Sequence, residues 1–259
     1  MKFSVITVTF NAKEKLKETV TDILKQTYDD YEIIIKDGLS SDDSLQMLPQ
    51  SDKIKLVSEK DKGIYDAMNR AVELASGDYI CFMNCGDYFA DEDVLKNMAE
   101  FIERTPGRGI YYGDTFWEQS QTIQYSAKEI TDRVLYCNVP CHQSCFFARS
   151  LYDNDRFDLT YRIRADYDFF LRQCYQNELK PAYTGFVVAK YEGGGFSENK
   201  KNQKCNKEEH QAIVKKYMPA SVIRKNKMYL FFTLAPLRSY ISEKSIFSKL
   251  YQSIKKKLR

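Results

Sequence analysis

Apolar positions in the first ninety residues fall into short blocks that alternate between two spacings. Residues 2–10 and 31–36 are nearly continuous apolar, β-branched runs, as strands covered on both faces require. Residues 54–58 and 78–83 are shorter runs of the same kind. Between them, residues 14–26 place Leu16, Val20, Ile23 and Leu24 at helical spacing, and residues 65–75 follow a helical pattern until Gly77 stops it. Residues 40–48 read as a further helix entered through a polar cap. Strands alternating with helices predict an α/β fold with a parallel sheet and helices on its faces. Ligands in such sheets bind at the carboxyl ends of strands, and three acidic clusters fall there: Asp37, residues 59–66, and Asp87.

Beyond residue 93 the pattern is less regular. Helices are expected over 93–104, 166–175 and 208–217, and strands over 109–115, 145–148 and 182–191, the last running into Gly193-Gly194-Gly195. Residues 1–220 therefore read as one α/β domain and residues 221–259 as a basic, aromatic, amphipathic C-terminal segment. That segment holds ten Lys or Arg against one Glu, in a chain whose net charge is only +3. A basic end on a mildly acidic body fits an anionic partner for the tail alone. Its rings, from Tyr229 and Phe231 to Phe247 and Tyr251, suit an anionic bilayer surface, or equally packing on the domain or on a partner chain.

With 43% hydrophobic and 29% charged residues, the 259-residue chain is expected to fold around a buried core. Its beginning, Met1 to Phe10, lacks the basic stretch, apolar run and cleavage site of a signal peptide, so its seven cysteines are expected to be reduced thiols of a cytoplasmic protein. Cys137, Cys141 and Cys145 recur every four residues, a spacing that suits buried thiols better than a zinc site. No apolar run reaches the 18 residues that a membrane span needs.

Several short strings stand in a characteristic order: Val8-Thr9-Phe10-Asn11; Asp37-Gly38 with Ser40 and Asp42; residues 59–69, containing Asp61, Gly63, Tyr65, Asp66 and Asn69; and Met83-Asn84-Cys85-Gly86-Asp87. Together they resemble family 2 glycosyltransferases with the GT-A fold. Cys141-His142-Gln143, Ala165-Asp166-Tyr167 and the 193–197 string look like the bacterial colanic-acid and exopolysaccharide branch of that family. The resemblance covers about residues 3–200. It implies a GT-A fold, with a mostly parallel central sheet and helices on both faces. It also implies an inverting enzyme that moves a sugar from a UDP- or GDP-sugar donor to a hydroxyl of a glycan or lipid-linked acceptor in bacterial surface polysaccharide synthesis. The expected location is the cytoplasm, extended to the inner face of the plasma membrane if the tail meets a bilayer surface rather than the domain or a partner chain.

The resemblance also assigns roles. Asp87 matches the last acid of the family's Asp-x-Asp, which holds a divalent cation, Mn²⁺ or Mg²⁺, against the donor's diphosphate. The first acid is missing, and Asn84 stands nearby. Asp37 matches the aspartate that accepts a hydrogen bond from the base, and Gly38 lets the chain turn close to it. Thr9, Asn11, Asp61, Asp66, Asn69 and His142 complete the donor-binding set, with Asp66 equally readable as a helix-start acid. Asp166 takes the role of catalytic base, its pKa expected to rise by shielding. Asp168 is its rival, two residues along the same helix. His210 is expected to be solvated, and the 193–197 loop to approach the diphosphate. The processive Gln-x-x-Arg-Trp motif is missing, which favours single addition.

Other readings differ in kind. A catalytically silent nucleotide-binding module of the same fold would suit the lost acid. A nucleotidyltransferase would need a glycine-rich loop where Thr9-Phe10-Asn11-Ala12 has none. Nucleic-acid binding has only the tail's charge behind it and no recognisable module.

Overall fold

A computed structural model describes residues 1–193 and 199–233. The chain divides into two compact units, Met1–Ile213 and Val214–Arg259. The first is built on one sheet. Strands β1 (Phe3–Thr9) and β2 (Tyr31–Asp37) are buried at every position, the outcome their nearly continuous apolar runs favour. With β3 (Ile54–Ser58) and β4 (Tyr79–Phe82) they form a parallel quartet, in register from Phe3↔Tyr31 to Thr9↔Asp37. The remaining strands are β5 (Asp87–Phe89), β6 (Ile110–Trp117), β7 (Thr122–Gln124), β8 (Cys145–Ala148) and β9 (Ala182–Tyr191). The strand order is β3-β2-β1-β4-β8-β6-β9-β5, with β7 paired to β6. Here the sheet becomes mixed: β8 runs antiparallel to β4 and β6, and β5 antiparallel to β9, while β6 and β9 are parallel. The parallel arrangement read from the sequence thus holds throughout the first four strands and recurs between β6 and β9.

Strand alternation sends neighbouring side chains to opposite faces. On one face Phe3, Val5, Ile33, Ile35 and Cys81 pack in a core with helix α1 (Glu14–Ile23), through Leu16, Val20 and Ile23, and helix α3 (Val94–Arg104), through Leu95, Met98 and Ile102. The other sequence set contributes Phe82, which meets the rings of Phe147, Tyr152 and Phe157. Phe169 of helix α6 (Ala165–Tyr175) stacks on Tyr152 with centroids 4.6 Å apart. Helix α2 (Ile64–Glu73) buries Ala67, Met68, Ala71 and Val72. Each fully buried Leu, Ile or Phe in these layers contributes about 1.5–3 kcal/mol by leaving water. Short helices α4 (Asp132–Cys137) and α5 (Leu151–Asn154) complete this set. Helix α7 (Gln203–Tyr217) begins in the first unit, and α8 (Ala220–Phe232) lies in the second.

Two expectations are corrected. Residues 40–48 form turns, not a helix. Asp42 accepts from the Ser44 backbone N–H at 3.1 Å, and the Ser44 hydroxyl accepts from the N–H groups of Ala12 and Lys13. Short polar side chains that bond to nearby backbone in this way compete with helix formation. His210 is not solvated: its ring stacks on Tyr167 at 5.2 Å, and Nε2 lies 2.9 Å from the Tyr136 carbonyl oxygen. Burial pushes its pKa down.

Candidate active site

The ends of β1 and β4 open into a cavity of about 350 Å³, lined by Thr9, Phe10, Lys15, Tyr65, Asn84, Asp87, His142, Gln143, Asp166 and Glu192 among others. Glycine at position 86 makes the turn that delivers Asp87. Its φ of 92° is left-handed, and its N–H is caught by the Thr19 hydroxyl at 2.9 Å. The Asp87 N–H then closes the turn onto the Asn84 carbonyl, and β5 pairs Asp87 with Tyr191. Asp87 is buried, with Gln143 Nε2 donating to its Oδ2 at 2.8 Å. Burial pushes its carboxyl up to about 6, against the lowering pull of Gln143 and His142.

His142 joins two of the candidate groups. Its Nε2 lies 3.2 Å from Asn84 Nδ2, and its Nδ1 lies 3.5 Å from Asp166 Oδ2. The tautomer with the proton on Nδ1 satisfies both contacts, giving to Asp166 and accepting from Asn84. Asp166 also lies within 2.8 Å of the Tyr65 hydroxyl. Burial alone would raise the Asp166 pKa, but His142 and the Tyr65 hydrogen bond outweigh it and hold the carboxyl below its ordinary range. The shift is opposite in sign to the rise expected from shielding. Asp168 lies on another side of α6, fully buried and 3.9 Å from Arg172.

The remaining candidates stand outside the cavity lining. Asp37 is fully buried and accepts from the Ser40 N–H and from the hydroxyls of Ser40 and Ser58. Asp61 reaches toward Gly38: a Cβ there would meet Asp61 Oδ2 at 2.6 Å and the Phe10 ring at 3.4 Å. Phe10 thus connects this corner to the cavity, and the residue is 66% exposed. Asn11, at φ 51°, accepts from the Ser41 N–H and so fixes the end of β1 to the 40–48 turns. Asp66 accepts from the Lys62 N–H and from Arg70, tying the loop to α2. The Asn69 amide is taken up on both ends by the Phe157 backbone, at 2.9 Å each. Four residues of interest escaped the sequence reading as single candidates: Phe10, Tyr65, Lys15 and Glu192. The first two lie inside strings already singled out, Phe10 just past the end of β1 and Tyr65 in the first turn of α2. Of the 193–197 string only Gly193, in the cavity lining, is described; the rest lies outside the described residues.

No three of the described His, Cys, Asp and Glu side chains gather as a ready-made metal cage. The donor set nevertheless suits a hard cation. Asn84 Oδ1 is buried with no hydrogen-bond partner, beside a carboxylate and an imidazole in one cavity. Mg²⁺ and Mn²⁺ take such oxygen donors in small numbers and fill the rest of their shell from water and phosphate.

The profile of Glycosyl transferase family 2 matches residues 4–156, and the chain belongs to this family. It is 34% identical over 203 residues to a PGL/p-HBAD biosynthesis glycosyltransferase of Mycobacterium bovis, across 75% of this chain and 78% of that one. It is 32% identical over 107 residues to a putative teichuronic acid biosynthesis glycosyltransferase, TuaG, of Bacillus subtilis, across 39% of this chain and 42% of that one. Among solved structures, the mannosyltransferase PcManGT of Pyrobaculum calidifontis, in complex with GDP-Man and Mn²⁺, overlays with a TM-score of 0.67 at 16% identity, over 99% of this chain and 80% of that one. S. aureus TarS 1–349 in complex with UDP-GlcNAc gives 0.65 at 17% identity, over 89% and 73%. A longer S. aureus TarS chain is covered over only 37% of its length. The protein is a glycosyltransferase, and its α/β sheet is the GT-A fold of these structures.

Proposed function

We propose that this glycosyltransferase transfers a sugar from a UDP- or GDP-linked donor, with inversion, to a hydroxyl of a cell-envelope glycan or a lipid-linked acceptor. The observation that carries the reading is the joining of Asp87, Asn84, His142 and Asp166 in one cavity at the strand ends. Relatives whose names mention PGL/p-HBAD and teichuronic acid support an envelope acceptor. Structures similar in fold that hold UDP-GlcNAc and GDP-Man support the two donor classes.

Asp166 is the base in this reading. Its lowered pKa keeps it ionised, so an acceptor hydroxyl meets a carboxylate able to take its proton. Tyr65 and His142 hold the carboxylate from two sides and fix its direction. The exposed Phe10 ring, beside Gly38 and Asp61, offers a face for the nucleobase. Asp37 and Asn11 act behind that surface by holding the turns in place. Asp87 and Asn84, with His142 beside them, would hold a divalent cation, which supplies positive charge to the departing diphosphate.

The test is thermal stabilisation by nucleoside diphosphates with and without Mn²⁺. UDP or GDP should raise Tm, Mn²⁺ should add to the rise, and Asp87→Ala should abolish the added part alone. No rise with any nucleoside diphosphate would sink the donor reading.

The second unit has its own place in the proposal. Among its described residues Met228, Tyr229, Phe231 and Phe232 are exposed, close in sequence to Arg224, Lys225 and Lys227. Residues 234–259, which carry the rest of the tail's basic charge, lie outside the described residues. Rings beside basic groups suit the inner face of an anionic membrane, where a lipid-linked acceptor would be met. Among the described residues no helix is long and apolar enough to cross a membrane.

A further inference from the structure

A donor diphosphate carries its negative charge into a cavity already lined by Asp87, Asp166 and Glu192. Among the described residues of that lining, Lys15 is the one Lys or Arg. Lys15 is already engaged: its Nζ is paired with Glu192 Oε2. The pair lies directly on Gly86. A Cβ built at that residue would meet Glu192 Oε2 at 2.8 Å, Lys15 Cδ at 3.5 Å and Lys15 Nζ at 3.7 Å. Lys15 comes from the first turn of α1, while Glu192 follows the end of β9, so the contact bridges positions 177 apart in sequence. Both side chains are about half exposed, where an ion pair contributes only about 0–1 kcal/mol and is readily exchanged for a stronger partner.

We propose that Lys15 is the protein's own cation for the donor diphosphate, and that Glu192 is a place-holder that occupies it until the donor arrives. On binding, the phosphate oxygens replace Glu192 at Nζ, and the freed carboxylate turns to solvent. No bond is made or broken in the exchange. A diphosphate offers more charge and more acceptor oxygens than one carboxylate, so the swap favours the bound state. The glycine at 86 is part of the device, because any side chain there would occupy the place where the pair meets. The arrangement supplies positive charge from the chain itself next to a metal motif that has lost its first acid.

The inference rests on the donor reading above, and the test separates the two. Binding of UDP and GDP would be measured by calorimetry on the full chain in EDTA, so that no metal contributes. Glu192→Gln should tighten binding about two- to fivefold, the value of an exposed pair removed as a competitor. Lys15→Met should weaken it by about tenfold, and Lys15→Arg should largely retain it. The double variant should behave as Lys15→Met. Uridine and guanosine, which lack phosphate, should bind all variants alike. Glu192→Gln that weakens binding or leaves it unchanged, or that still tightens it in the Lys15→Met background, overturns the place-holder. Wild-type protein that binds neither diphosphate, with or without Mn²⁺, overturns the donor reading and this inference with it.

Discussion

The base role proposed for Asp166 rests on what touches it. In the sequence it shares a helix with Asp168, and both have the chemistry of a base. Folding separates them: Asp168 is sealed beside Arg172, whereas Asp166 opens on the cavity between Tyr65 and His142. Asp166→Asn should therefore cut turnover by about 10²–10⁴-fold while UDP or GDP binding is unchanged, as steady-state rates and calorimetry would show. Tyr65→Phe removes a hydrogen bond that fixes the carboxylate without removing the carboxylate. Turnover should fall by about tenfold, with KM for the donor unchanged. An equal loss in donor binding would make Tyr65 a donor contact instead.

Among elements, the parallel quartet was legible in the sequence because short, largely apolar and β-branched runs alternate with segments of helical spacing, a pattern that leaves few alternatives. The 40–48 segment was not, because a helix cap and a turn use the same residues. Asp42 and Ser44 could have started a helix. Instead Ser44 receives the N–H groups of Ala12 and Lys13, a long-range contact that no local pattern reveals. Strands β5 and β7, three residues each, were too short for periodicity to register. The candidate site was legible in part. Asp87, His142 and Asp166 lie in strings whose order could be read. Lys15 and Glu192 have meaning only through a contact between distant elements. Asn69 makes the point for α2: it is a clamp, holding the Phe157 backbone by both amide ends. Asn69→Ala leaves a backbone N–H and carbonyl without their partner and should cost about 2–3 kcal/mol in urea unfolding.

For the whole molecule, charge is placed with a sign that acid will expose. Glu32 lies in the sheet, where burial alone would raise its pKa, but Lys55, Ser4 and Ser76 hydrogen-bond to it and bring it from 4.5 to about 2. A folded pKa below the unfolded one gives stability that is complete above the unfolded value and lost as pH falls through the folded one. Unfolding free energy should thus drop between about pH 4.5 and pH 2, by an amount on the order of 2 kcal/mol that Glu32→Gln no longer loses. The tail acts on a larger scale. The full chain should sediment with vesicles containing phosphatidylglycerol and not with neutral ones, and high salt should release it. Binding to both kinds alike would assign the exposed rings, not the charge, the main part.

Strand β9 pairs with both β6 and β5, and through β5 it fixes Asp87 opposite Tyr191. During synthesis, then, a nascent chain that has released its first ninety residues already owns every piece of the parallel quartet but cannot yet seat that aspartate. The candidate pocket gains its last wall from a segment made some hundred residues later, so on the proposed function donor binding should require β9 in place and not only the sheet's first four strands.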